Sequence, residues 1–380
     1  MKILNLYSHW RRTGPAEPVL RSCQALQNRG HEVLLALMAS PQPNGNNITD
    51  QLSLHHLPYT TKFHLNPYCN IRGLKGMLSD FKNLPLFVNK KGFDIVHMNL
   101  SHDFTLGMIA MASAKTSAKL IYTNHHGLPL KPNFFYKLAL KKLDTWIDIG
   151  HQLGKNNKDT LGIPEHKHHI LPGAICNETF TPRMKNISLA HSFGIRNNDF
   201  VFGIVARLQR RRHFFCILKA IHQLKKTHNH FKFLFIGRGK HLLEMQNWVK
   251  ELKIEDTVIF TGYRKEDYKD TLALLDTKIF LIPGFDGSCR AAMESMAMAK
   301  PLIVSKIGVL PELVEHLTNG YHCDIKPDSL CDMMQRMIQL SHEDRLLMGQ
   351  ESLKKQMKHH SLKHQVNLLE NIYKKTLAMD

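Results

Sequence analysis

Apolar residues fall in short continuous runs separated by amphipathic segments of helical period, and the two kinds alternate along most of the chain. Lys2–Tyr7 (KILNLY), Glu32–Leu37 (EVLLAL), Asp94–Met98, Lys119–Thr123 and Asp144–Gly150 read as strands, because apolar runs this short suit strands buried on both faces. Between them, i, i+3, i+4 spacing predicts helices at Pro15–Asn28, within Ile71–Phe87 and at Phe104–Ala114, the first stopped by Gly30. The rest of Pro41–Lys91 is irregular and gives no further element. The second half restarts the alternation. Strands at Phe200–Val205, Phe231–Ile236, Val258–Thr261 and Ile279–Ile282 are interleaved with helices at Phe214–Lys225, Leu242–Leu252 and Tyr268–Leu275. A short strand follows Asn319-Gly320, and polar helices occupy Asp328–Leu377. Such β-α repetition predicts an α/β protein with two parallel, doubly wound sheets. The polar, unpatterned stretch Thr181–Asp199 separates them, giving domains over 1–182 and 183–360 and a C-terminal helix over 361–380.

At 380 residues and 43% hydrophobic content the chain can bury a core in each domain. Its formal charge of +19 calls for an anionic partner: nucleic acid, an acidic membrane surface or a phosphorylated substrate. The excess is concentrated in residues 51–142, where twelve Lys and Arg face only Asp80, Asp94 and Asp103. Within it, Lys131–Leu143 (KPNFFYKLALKKL) mixes aromatic, aliphatic and lysine residues at helical spacing. That pattern fits a helix lying on acidic lipid, and equally a core helix with a solvated lysine face. The opening run Met1–Tyr7 is too short for a signal-peptide core, and no uncharged stretch approaches a membrane span, so a cytoplasmic protein is expected, peripheral to the inner face of the membrane. Seven scattered cysteines without a C-x-x-C pair fit reduced thiols. His166, His168 and His169 crowd one segment without carboxylates or cysteines at ligand spacing, and no metal is expected there.

The chain's chemistry is concentrated from Ile279 to Glu312 (IFLIPGFDGSCRAAMESMAMAKPLIVSKIGVLPE). Pro283, Gly284 and Gly287 break the strand, and Ser288 is placed to cap a following helix. Six helical steps of about 1.5 Å carry Glu294 to the second turn, about 9 Å from that cap, while Asp286 stays in the loop. Exposed N–H groups and the positive end of the helix dipole favour a phosphate or sugar oxygen there, and the two carboxylates suit hydroxyls. The plainer reading is that Asp286 assists the cap and Glu294 lies on a solvated helix face. Upstream, Ala206-Arg-Leu-Gln-Arg-Arg-Arg-His213 follows one strand and Gly237-Arg238-Gly239 ends the next, so arginines gather where a sheet meets its helices.

Asp286 and Glu294, eight positions apart before an alanine-rich helix and followed by Ile307-Gly308-Val-Leu-Pro-Glu312, resemble the signature of the family four glycosyltransferases, retaining enzymes of the GT-B fold. Ala206–His213 is similar to the family's GRLxxxKG, with Arg207 at the Arg and Arg212 at the Lys. Asp94–Met98 resembles DVVHxH, and Ile170–Phe180 resembles PNGVDxxxF with Gly173 and Cys176 replacing its Asn and Asp. Thr123-Asn-His-His-Gly127 resembles T-x-H-G; His125 by distance from Thr123, or His126 by adjacency to Gly127, stands at the histidine, and His125 is preferred. Asp286 replaces the usual Glu and Lys300 the usual Gly, which leaves the donor sugar open.

The resemblance implies two Rossmann-like domains facing a central cleft, a nucleotide-sugar donor held mainly by the second, and a glycan or lipid-linked acceptor held by the first. It implies transfer with retention, as in lipopolysaccharide-type envelope synthesis, and neither metal nor cofactor. Arg207 and Arg212 would then neutralise the diphosphate with Arg238 nearby, and Glu294 would hold the ribose hydroxyls. Asp286 with the amides of Gly287, Ser288 and Cys289 would hold the sugar, His125 would contact sugar and acceptor, and Gly14 would allow close approach to the donor phosphates. The catalytic set is His125, Asp286, Arg207 and Arg212. The rival is a non-catalytic basic protein of the same fold that engages nucleic acid or anionic glycan through its charge, although no nucleic acid is expected. A nicotinamide dehydrogenase is set aside for want of G-x-G-x-x-G after the first strand.

Overall fold

The computed structural model describes residues 1–379 apart from 12–13, 41–46, 55, 66–70, 113–115, 126–129, 131–133, 283–286 and 288. Its contacts divide the chain into two units. The first comprises Met1–Gly173, Phe285–Ser288 and Leu362–Asp380; the second comprises Ala174–Gly284 and Cys289–Ser361. The division falls at Gly173, ahead of the polar stretch that separates the two patterns in the sequence.

The first unit runs β1 (Lys2–Tyr7), α1 (Ala16–Asn28), β2 (Glu32–Leu37), α2 (Ile48–Leu54), β3 (Tyr59–Thr60), α3 (Ile71–Lys91), β4 (Ile95–Met98), α4 (Ser101–Ala112), β5 (Lys119–Asn124), α5 (Phe134–Lys142), β6 (Thr145–Asp148), α6 (His151–Leu161) and β7 (His168–Ile170). Its strands form one parallel sheet in the order β3-β2-β1-β4-β5-β6-β7. Ile3 and Tyr7 of β1 pack towards α1, whereas Leu4 and Leu6 join the core with Phe104 and Trp146, so both faces of the sheet are covered. Four elements of this unit lie where the sequence pattern is silent, among them the polar α6, whose buried hydrophobic residues are Leu153 and Leu161. The short α2 and β3 fall within the irregular stretch, and β7 is built from histidines that carry no apolar alternation. In β7, His168 is held by Asp148, 3.0 Å away. The segment read as one or two helices is a single α3 that continues through Pro85, because Leu84 and Val88 on either side are anchored in the core.

The second unit runs α7 (Ile187–Ser192), β8 (Phe200–Val205), α8 (Phe214–Lys225), β9 (Phe231–Ile236), α9 (Leu242–Glu251), β10 (Val258–Gly262), α10 (Tyr268–Ala273), β11 (Thr277–Phe280), α11 (Arg290–Ala297), β12 (Leu302–Ser305), α12 (Leu310–Leu313), β13 (Gly320–Cys323), α13 (Pro327–Gln339) and α14 (His342–His359). Its parallel sheet has the order β10-β9-β8-β11-β12-β13. Alternate residues of β9 feed opposite cores: Phe233 and Phe235 pack with α8 and α13, Leu234 and Ile236 with α10 and α11.

The last helix, α15 (Leu362–Leu377), belongs to the first unit. Glu370 bonds Arg29 (2.5 Å) and His31 (2.6 Å), Tyr373 reaches His97 of β4 (2.6 Å), and Thr376 meets Thr145 of β6 (2.7 Å).

Candidate active site

In each sheet the chain turns back at its first strand: β2 and β4 flank β1, and β9 and β11 flank β8. Loops leaving the carboxyl ends of two such strands diverge to opposite faces and open a crevice that suits a ligand. The segments that follow β8 and β11 in the sequence are residues 206–213 and 281–289, of which 283–286 and 288 lie outside the described residues. They carry most of the residues singled out from the sequence.

The ledge beside β8 is built by close backbone contact. Ala206 N–H donates to the Ile236 carbonyl and Leu208 N–H to that of Arg238, both at 3.1 Å, laying one loop against the next. A Cβ at Gly237 would lie 2.1 Å from the Ala206 oxygen, and one at Gly239 equally close to the Leu208 oxygen, so both positions require glycine. Arg207 and Arg238 stand exposed on these paired loops. Arg238 lies over the ring of Tyr263, 4.8 Å from its centroid. Among the described residues none hydrogen-bonds or pairs with Arg207. Arg212, half-buried in a 3-10 turn, donates to the carbonyl of Ile282 and ties the β8 loop to the exit of β11. Arg207, Arg212 and Arg238 thus stand on the loops that follow the neighbouring strands β8 and β9.

Across the crevice stands α11. Its N-cap is Cys289, in the left-handed conformation at φ 50°, and no side-chain cap is made; this corrects the expectation that Ser288 holds that position. A non-glycine residue there costs about 1–3 kcal/mol, a strain typical of ligand-binding turns. Glu294 is on the second turn as expected, but it is only 2% exposed rather than lying on a solvated face. Its two oxygens accept from Arg290 Nε (2.7 Å) and Tyr268 Oη (2.5 Å). Burial, with the adjacent Glu294 charge, raises the Tyr268 phenol well above its ordinary pKa. Arg290 and Tyr268 were missed in the sequence, although Arg290 sits one helical turn before Glu294, the spacing at which ion pairs form. Lys278 of β11, also unforeseen, lies on the same face of the sheet as Phe280 and is fully buried. Lys300, standing where the resembling family has Gly, donates to the Ala273 carbonyl at the end of α10 (2.9 Å).

In the first unit, Asp103 accepts from the backbone N–H groups of Ser8 (2.6 Å), Asn99 (3.2 Å) and Leu100 (2.7 Å), pinning the loops after β1 and β4 to one point. Burial pushes its carboxyl up to about 6. Gly14 is exposed in the turn before α1. His125 follows β5 and accepts at its carbonyl from Gly287 N–H (2.9 Å), bringing together two of the residues marked in the sequence. Beside His125 is a cavity of about 30 Å³ lined by Asn5, His97, Thr123, Gln365 and Tyr373. His97 bonds Tyr373 and Thr123 through its two ring nitrogens, and burial followed by the nearby His125 pushes its pKa down to about 3. Asp286, Ser288 and the alternative histidine, His126, lie outside the described residues.

Two family models match the two halves in succession: Glycosyltransferase Family 4 over residues 14–178, and Glycosyl transferases group 1 over residues 188–352. The chain belongs to the group 1, family 4 glycosyltransferases. It is 30% identical over 169 residues to the amylovoran biosynthesis glycosyltransferase AmsK of Erwinia amylovora, covering 42% of this chain and 39% of that protein. It is 23% identical over 186 residues to the lipopolysaccharide 1,2-N-acetylglucosaminetransferase of Salmonella typhimurium, covering 46% of this chain and 49% of that one. The chain spans 30% to 53% of the length of the first curated relatives it matches. The Anabaena protein Alr3699/HepE, solved in complex with UDP and glucose, superposes with a TM-score of 0.78 at 18% identity, covering all of both chains. That likeness places the two parallel-sheet units in the GT-B fold class.

Proposed function

We propose that this glycosyltransferase moves a sugar, with retention of anomeric configuration, from a UDP-sugar to a glycan or lipid-linked acceptor of the cell envelope. The observation that carries this reading is the placement of Arg207, Arg212 and Arg238 on the loops after β8 and β9, with Arg212 tied to the exit of β11. A diphosphate leaving group develops negative charge as the glycosidic bond breaks, and preorganised guanidinium groups stabilise that charge most in the transition state. Three such cations beside a helix N-terminus supply the compensation that a metal ion provides elsewhere, so the transfer is assigned no metal. Glu294 takes the ribose hydroxyls, Asp286 with the Gly287–Cys289 amides takes the sugar, and His125 is assigned to sugar and acceptor. The choice of UDP is supported by the Anabaena neighbour, and the envelope acceptor by the Salmonella relative.

A lipid-linked acceptor is supported by the surface of the first unit. No described helix is long and apolar enough to cross a membrane. Yet α5 exposes Phe134 (81%) and Leu138 (54%) beside the exposed Lys137 and Lys141, while Ala139 and Leu140 pack into the core. Beyond the intervening α4, α3 exposes Leu74, Leu78 and Leu86 among Lys75, Lys82 and Lys90. Apolar side chains framed by lysines suit the interface of an anionic bilayer on the cytoplasmic face.

The test is incubation with a panel of UDP-sugars and envelope glycolipid acceptors, with and without a chelator, following UDP release and reading the product anomer by proton NMR. Chelator-insensitive release with the donor's anomer retained is expected. An inverted product overturns retention, dependence on metal overturns the assignment of charge compensation to arginine, and no release with any donor overturns the transfer itself.

A further inference from the structure

Lys278 presents a buried cation with no acceptor. It is 0% exposed in the middle of the second sheet, and its ammonium nitrogen has no hydrogen-bond partner among the described residues. The charged group that acts on it is Glu294 of α11, whose own partners are Arg290 of α11 and Tyr268 of α10; the adjoining strands β8 and β12 carry no titratable side chain. Among the described residues Glu294 is the anion shown in this cluster, and its two oxygens are committed to Arg290 and Tyr268. With Lys278 neutral the cluster is balanced; with Lys278 charged it carries a buried excess positive charge, which is costly. Burial accordingly pushes the Lys278 amine down to about 7, the Glu294 charge partly opposing the fall.

Arg290 is the movable member. It occupies the first turn of α11 at the mouth of the crevice and its side chain is 37% exposed, whereas that of Glu294 is 3% exposed. A diphosphate offers a guanidinium a bidentate partner stronger than one carboxylate oxygen. We propose that Lys278 is a positioning residue for Glu294: when a nucleotide sugar draws Arg290 away, the buried amine takes up a proton and becomes the counter-ion that keeps Glu294 ionised for the ribose. This rests on the donor site described above. The proton comes from solvent, and no bond other than N–H is made.

The test is titration calorimetry of the whole protein with UDP-glucose, whose diphosphate diester does not itself titrate near neutrality, in buffers of different ionisation enthalpy from pH 6 to 8.5. The parent should take up little at pH 6, where the amine is already protonated, rising towards about one proton per ligand by pH 8. Lys278→Met removes the amine at similar volume and should bind without that uptake. Because it also removes a buried amine that has no hydrogen-bond partner among the described residues, it should melt no lower than the parent. Binding by the parent with no uptake at pH 8 overturns the proposal whether or not the variant folds. Unchanged uptake in Lys278→Met also overturns it, assigning the proton to a histidine. Absence of UDP-glucose binding overturns the donor reading and this inference together, an outcome distinct from binding without uptake.

Discussion

Arg207 and Glu294 carry the account at the scale of single residues, and their surroundings predict different failures. Arg207 is exposed on a ledge fixed by backbone contacts, so Arg207→Met leaves the fold intact and removes one cation from the departing diphosphate. Turnover should fall by about 2.7 to 4 kcal/mol, as for loss of an oxyanion donor, with a smaller change in donor affinity. Steady-state kinetics check this, and a rise in KM alone would mark Arg207 as a ground-state contact. Glu294 is buried and doubly bonded, so Glu294→Gln weakens both the ribose contact and the grip on Arg290. Nucleotide-sugar affinity by calorimetry should drop about tenfold, the worth of a charge-assisted hydrogen bond; unchanged affinity would remove Glu294 from the donor site. Much at this scale was legible. The arginine run after β8 and the glycines that admit it stand out in the sequence because they break an apolar pattern. Lys278 and Tyr268 were not legible, since each lies within a stretch whose periodicity describes packing and says nothing of which polar group is buried beside which. The cap moved from Ser288 to Cys289 because propensity favours serine there, whereas the observed turn reaches the helix through a left-handed residue.

At the scale of elements, α5 packs Ala139 and Leu140 into the core and exposes lysines with Phe134 and Leu138, the surface to which the proposed lipid contact belongs. Each lysine near an acidic surface adds about 1 kcal/mol of attraction. Changing Lys137, Lys141 and Lys142 together to Gln should abolish co-sedimentation with anionic vesicles at low salt while leaving the far-ultraviolet spectrum unchanged. Equal binding by the variant would assign the basic surface elsewhere. The pairing of β4 with α15 through His97 and Tyr373 makes a second prediction at this scale. In the fold the His97 imidazole is held neutral down to about 3, against its ordinary 6.5. Its depressed pKa means that the unfolded chain binds a proton the native one does not, so this contribution to stability is lost progressively as pH falls below 6.5. His97→Gln should flatten the dependence of unfolding free energy on pH between 4 and 6.5 by up to about one proton's worth, measured by urea denaturation. A slope identical to the parent's would show that His97 does not take up the proton. The alternation of strands and helices was legible throughout because continuous apolar runs fit only sheets covered on both faces. The elements that escaped, α2, β3, α6, β7 and α7, are short or polar and held by neighbours more than by their own pattern: β7 is fixed by its pairing with β6 and by the His168–Asp148 contact.

For the whole molecule, the charge of +19 fits a nucleotide sugar, an acidic membrane surface or a nucleic acid, and the contest for the second unit is between the first and the last. The arginines of the second sheet favour the sugar nucleotide because they follow a strand end and face a helix N-terminus, whereas nucleic-acid contacts would spread over a surface and be salt-sensitive. Thermal unfolding of the parent, Arg207→Met and Glu294→Gln against a panel of nucleotide sugars decides most directly between them. A ligand at 100 times its dissociation constant stabilises by about 2.7 kcal/mol. At least one nucleotide sugar is predicted to raise the melting temperature of the parent, with a smaller rise in Glu294→Gln at the same concentration. No rise with any nucleotide sugar, alongside tight and salt-sensitive binding of an oligonucleotide, would contradict the account.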